Sequence, residues 1–184
     1  MGFTGHYIFG RSDRPLREAP IFAQLANQTG RHVDIHDLWP RPGGWQTLQV
    51  FGLDFRQQEV AALATWTGAP ACVAWIMDSD LAVVDGAAPG GPEAESVCWD
   101  GVISMWTAAA DEEGDPSVLA QLEESLPRTV TGALAWARRA GYGDTTEPAI
   151  ENVMRSEQGG DDIFFDLLDA LGFPEAVEPP TTAA

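Results

Sequence analysis

The stretch Ala71-Cys72-Val73-Ala74-Trp75-Ile76-Met77-Asp78-Ser79-Asp80-Leu81-Ala82-Val83-Val84 decides the fold. An apolar run, three polar residues and a second apolar run follow one another. A segment that is apolar at nearly every position reads as a strand covered on both faces, because a half-exposed strand alternates. Asp and Ser favour tight turns, since their side chains bond to nearby backbone amides. The stretch therefore predicts a hairpin in which Ala71 to Met77 is a central strand and Leu81 to Val84 returns beside it, with Asp85-Gly86 ending the return.

Upstream, His6 to Gly10 reads as a short strand followed by a turn rich in Arg. Pro20 suits a helix start, with Ile21, Phe22, Leu25 and Ala26 on one face and Gly30 as its stop. His32 to His36 alternates as a strand, Trp39 to Gly44 is a loop by its prolines and glycines, and Gln46 to Asp54 is another strand. Gln57 to Thr67 predicts a helix with Val60, Leu63 and Ala64 inward and Gly68 at its end.

Downstream, Gly86 to Pro92 is expected to be a flexible loop, and Ser96 to Thr107 supplies one or two strands. Asp115 and Pro116 then open a helix with Val118, Leu119, Leu122 and Leu126 inward. Pro127 is expected to restart a second helix ending near Ala140, where Arg138 and Arg139 suit the dipole. A third helix is predicted over Pro148 to Ser156. A fourth, over Asp161 to Leu171, sets Ile163, Phe164, Leu167, Leu168 and Leu171 on one stripe and Asp162, Asp166 and Asp169 on the other.

Strands and helices followed by helices alone imply an α+β fold with a mostly antiparallel sheet and a helical C-terminal layer. The expected organisation is a single domain over residues 1–173, sheet-rich over about 1–107 and helical over about 115–172, with a flexible tail at 174–184.

A chain of 184 residues with seven tryptophans has ample apolar surface to build a core without staples. Its formal charge of −18 is unevenly placed: six Arg face nine Asp or Glu in residues 1–92, but four face nineteen in residues 93–184. Such a field repels nucleic acid and anionic lipid and attracts a basic partner or a cation. Cys72 and Cys98 lie in apolar runs and read as buried free thiols. The first ten residues lack the pattern of a signal peptide, and no apolar run approaches membrane-spanning length. A cytoplasmic location, without membrane or nucleic-acid contact, is expected.

Several constellations invite a chemical reading. Asp78-Ser79-Asp80 after an apolar strand resembles the DxD motif of glycosyltransferases, where two carboxylates hold a divalent cation against a sugar-nucleotide diphosphate. No Gly-rich phosphate loop precedes it, and a turn accounts for the same residues. In His32-Val33-Asp34-Ile35-His36 a strand's period of two places His32, Asp34 and His36 on one side, a potential zinc face if His6 joins it, although a solvent-facing polar stripe has the same pattern. Arg11, Arg14 and Arg17 form the one basic cluster, expected to make salt bridges with the acidic remainder. No nucleophile elbow occurs.

The loop Trp39-Pro40-Arg41-Pro42-Gly43-Gly44-Trp45 points most directly to recognition, because Trp and Arg are enriched in interface hot spots. Trp39, Arg41 and Trp45 are therefore expected to contact a partner, together with Asp111, Glu112 and Glu113 from the acidic run before the first C-terminal helix. The alternative for the loop is that both tryptophans fold back over the sheet. In size, charge and absence of a catalytic signature the chain is similar to the small immunity proteins that neutralise bacterial toxins, many of them cationic nucleases. That resemblance implies a non-enzymatic inhibitor of a basic protein, needing no metal or cofactor. The alternative is a divalent-metal-dependent enzyme built on Asp78 and Asp80 or on His32, Asp34 and His36.

Overall fold

The computed structural model describes residues 2–90, 95–104, 116–156 and 158–178. Its strands are β1 (Gly5–Arg11), β2 (Asp34–Asp37), β3 (Trp45–Phe51), β4 (Ala71–Met77), β5 (Leu81–Ala88) and β6 (Val97–Val102). The helices are α1 (Pro20–Thr29), α2 (Gln57–Thr67), α3 (Pro116–Arg139), α4 (Glu147–Met154) and α5 (Gly160–Ala170). All the strands join one antiparallel sheet in the order β2-β3-β1-β4-β5-β6, so the fold is the expected single α+β unit.

The quoted stretch forms the predicted hairpin, with Met77 opposite Leu81 and Ala71 opposite Ala87. Asp80 N–H donates to Met77 O at 3.1 Å, and the two residues between have φ of 52° (Asp78) and 60° (Ser79). Positive φ at both central positions is what a type I′ hairpin turn requires, and it matches the twist of the strands. Neither residue is Gly, so the turn is held from outside. Thr4 Oγ1 accepts from Asp78 N–H at 2.9 Å, Phe3 O from Ser79 N–H at 2.9 Å, and Asp78 Oδ1 from Gly2 N–H at 2.9 Å.

The helices divide between the two faces. Because side chains alternate, β1 sends Ile8 into a core with Phe22, Leu25, Val60 and Leu63 of α1 and α2, and Tyr7 and Phe9 into a core with α3, α4 and α5. The second core is rich in aromatic rings. Trp45 stacks on Phe9 with centroids 4.8 Å apart and planes 6° from parallel, and Phe173 meets both rings edge-on. The indole N–H of Trp136 in α3 is shared between Ala71 O at 3.1 Å and Ala87 O at 3.0 Å, which anchors the helix across β4 and β5.

Four expectations change. The two helices expected on either side of Pro127 are one, α3, with the exposed proline inside it. Proline removes one helical N–H, but Leu122, Leu126, Val130 and Leu134 form a buried stripe through the site, and that packing keeps the axis continuous. The expected loop from Gly86 is strand as far as Ala88, because the indole of Trp99 lies where a Cβ of residue 86 would stand. The tail expected from Pro174 is docked over its described part: Pro174 O accepts from Arg41 at 2.9 Å, and Val177 N–H donates to Pro40 O at 2.9 Å. Residues 179–184 lie outside the described residues, as do Asp115 and residues 105–107. Finally, Cys72 is buried, but Cys98 on edge strand β6 is exposed.

Two substitutions test this packing by chemical denaturation. Pro127→Ala restores a helical donor at an exposed position and should raise stability by about 2 kcal/mol. Gly86→Ala should lower it by about 1 to 3 kcal/mol through overpacking against Trp99.

Candidate binding cleft

The recognition loop divides its residues between core and surface. Gly43 and Gly44, at φ of 82° and 80°, turn the chain back so that Arg41 N–H donates to Trp45 O at 3.0 Å. Trp45 then falls inward beside Phe9 and is 1% exposed, so it is not available to a partner. Arg41 is also buried. Its Nη1 donates to Asp169 Oδ1 at 2.7 Å and to Pro174 O at 2.9 Å, and its guanidinium lies over the Phe9 ring. Trp39 alone of the three stays outside, 56% exposed.

Trp39 borders a cleft of about 350 Å³ lined by Asp37, Leu38, Arg41, Thr47, Phe165 and Ala176. The loop after β2 supplies one wall, α5 and the docked segment after it the other, and β3 the floor. Thr47 is 3% exposed, and its hydroxyl has no hydrogen-bond partner among the described residues. Burying a hydroxyl without a bond is unfavourable, so few such groups persist in native proteins. The sequence reading did not single out Leu38, Thr47, Phe165 or Ala176. A signal existed for two of them. Thr47 occupies an inward position of β3, two residues from Trp45, where an apolar residue is expected, and Phe165 is a large ring beside the polar stripe of α5.

The surroundings of the cleft are acidic. Asp162, Asp166, Glu175 and Glu178 are exposed and form no ion pair among the described residues, whereas Asp169 is bound to Arg41 and Asp37 to Arg17. The field reaches the sheet: burial raises the Tyr7 phenol above its ordinary range, and Asp161 and Asp162 push it further in the same direction. Elsewhere in the helical half Arg155 binds Glu123 at 2.6 Å and Glu151 at 2.9 Å. Asp111, Glu112 and Glu113 lie outside the described residues.

The basic cluster behaves only partly as expected. Arg17 pairs with Asp37, but Arg14 stacks over Trp66 at 4.5 Å and Arg11 lies 6.0 Å from the Trp45 ring.

The metal alternatives gain no geometric support. Asp78 and Ser79 hold the hairpin turn, and the Asp78 carboxylate is engaged by Gly2 N–H. His32 precedes β2, which begins at Asp34, because Gly52 at φ 81° brings the His32 carbonyl against the end of β3. Ile35 pairs with Val50 on the α1/α2 side, so Asp34 and His36 face the opposite side. His6 also pairs with Val50 and lies against Phe55, on the face that Asp34 and His36 do not share. Among the described residues no three His, Cys, Asp or Glu side chains are grouped to hold a metal ion. No described helix is long and apolar enough to cross a membrane.

Comparison with known protein families, with curated proteins and with solved structures yields no match to this chain.

His6 supplies a test of the face assignment. Burial lowers its pKa from 6.5 to about 4, against a smaller opposing pull from Asp54, so the folded protein holds the ring neutral. The unfolded chain binds the proton first. Stability should fall as pH drops from 6.5 towards 4, by a total on the order of 3 kcal/mol, and that slope should vanish in His6→Phe. Denaturation midpoints measured across this range check it.

Proposed function

We propose that the chain is a non-enzymatic acidic binding protein that engages a basic protein partner, in the manner of an immunity-type inhibitor of a toxin. One observation carries the reading: Asp162, Asp166, Glu175 and Glu178, exposed and without an ion pair among the described residues, lie on the helix and the following segment that give the cleft Phe165 and Ala176, and the cleft also presents the exposed Trp39. A hot spot commonly combines an aromatic anchor with a polar rim that excludes water. The net charge of −18 acts at longer range, speeding encounter with a cationic surface and disfavouring anionic ones. Inhibition would follow from occlusion, as the acidic face covers the surface that the partner uses to bind its own anionic substrate.

The shape of the cleft favours a protein partner. Its carboxylates lie on the outer side of a helix and along an extended segment, not converging in a deep pocket, and a protein surface can meet all of them at once.

Affinity capture from the cell of origin, run with the wild-type chain and with an Asp162→Asn/Asp166→Asn/Glu175→Gln variant, tests the proposal. The wild type should retain a protein of high isoelectric point at low salt, and the variant should lose at least about ten-fold of it, since each close charge pair at such interfaces couples by about 1.5 kcal/mol or more. Equal recovery by both proteins, or recovery of acidic proteins only, would contradict it.

A further inference from the structure

We propose that the cleft beside Trp39 receives an arginine side chain of the basic partner, so that one inserted guanidinium fixes where the partner sits. This rests on the reading above that the partner is basic. Three features select the occupant.

The walls are the first. Trp39 and Phe165 both contribute aromatic surface to the lining, together with Leu38 and Ala176. A guanidinium is planar and weakly hydrated and stacks on aromatic rings, whereas an ammonium is compact and strongly hydrated.

The floor is the second. The Thr47 hydroxyl is buried and has no hydrogen-bond partner among the described residues, so it is an acceptor that no described group fills. Arginine carries five N–H donors in a rigid fork, and a small opening of the floor would bring one of them to this hydroxyl while others remain at the rim. An aliphatic side chain would fill the same volume and leave that hydroxyl unbonded.

The third is charge. Arg41 lines the cleft, yet its charge is met by Asp169 at 2.7 Å and by the Pro174 carbonyl at 2.9 Å. An incoming cation therefore meets a neutralised arginine. Asp166 and Glu175, adjacent in sequence to the lining residues Phe165 and Ala176, have no ion pair among the described residues. With Asp37 and Arg17 also paired to each other, the net field at the mouth is negative.

The test uses the full chain labelled with nitrogen-15 and three synthetic heptapeptides, identical except for a central arginine, lysine or leucine between flanking lysines. The indole N–H signals are followed by NMR at low salt, Trp39 being assigned from its loss in Trp39→Phe. The arginine peptide should shift the Trp39 signal and bind roughly five-fold tighter than the lysine peptide, which carries the same charge. That preference should disappear in Trp39→Ala, whose fold is protected by the exposure of the residue, and should shrink in Asp166→Asn. Equal affinity for arginine and lysine would overturn the proposal and leave the charge-driven function standing. A preference for leucine would overturn it in favour of an apolar anchor. If no peptide perturbs any signal, the proposal and the reading of a basic partner fail together.

Discussion

A buried arginine organises the surface of this protein. The side chain of Arg41 is 3% exposed, and a cation so placed is tolerated only with partners that meet its charge and its donors. Asp169 supplies the charge and Pro174 a carbonyl, so the loop before β3, the last turn of α5 and the segment after it are fastened to one guanidinium. Asp169 keeps part of its carboxylate in water, which lowers the desolvation cost of the pair. The cleft exists because of this knot, since its walls are the three segments that the knot draws together.

Beneath the knot the molecule is held by conventional burial. β1 and β4 lie at the middle of the sheet, with helices on both sides, and this explains why Ala71 to Ala74 carries no charged residue, whereas at the end of β4 Trp75 and Met77 are exposed. Aromatic rings do much of the filling on the α3 side, where Trp45 meets Phe9, Phe9 meets Phe173 and Phe173 meets Trp136. Trp136 adds direction to that packing. Its N–H satisfies two carbonyls at the end of paired strands, and an apolar ring there would leave the register of α3 on the sheet less defined.

Much of the fold was legible because its signals are local. Helix limits at Pro20, Gly30 and Gly68 follow from a fixed φ or from left-handed caps, and the hairpin at Asp78 follows from turn chemistry. What the sequence concealed depends on contacts between distant residues. Pro127 sits inside a helix because buried leucines on both sides outweigh its missing N–H, and Gly86 lies in a strand because Trp99 needs its space. The recognition loop was misread in the same way. Trp39 and Trp45 have identical side chains only six positions apart, and the turn at Gly43 and Gly44 sends one into the core and leaves the other outside. The aspartates of α5 are visible as a stripe, but only the tertiary structure shows that Asp169 is bound to Arg41 while Asp162 and Asp166 have no ion pair among the described residues.

In the proposed function, long-range attraction would bring a cationic protein to the acidic side, and the aromatic recess would set its register. In that proposal the face bearing α1 and α2 would stay free. Amide hydrogen exchange of the chain alone and in complex with its captured partner addresses this most directly. The account predicts new protection in Leu38 to Arg41, along α5 and in the segment following it, with α1 and α2 unchanged. Protection confined to α1 and α2, with the Trp39 loop exchanging as in the free chain, would contradict it.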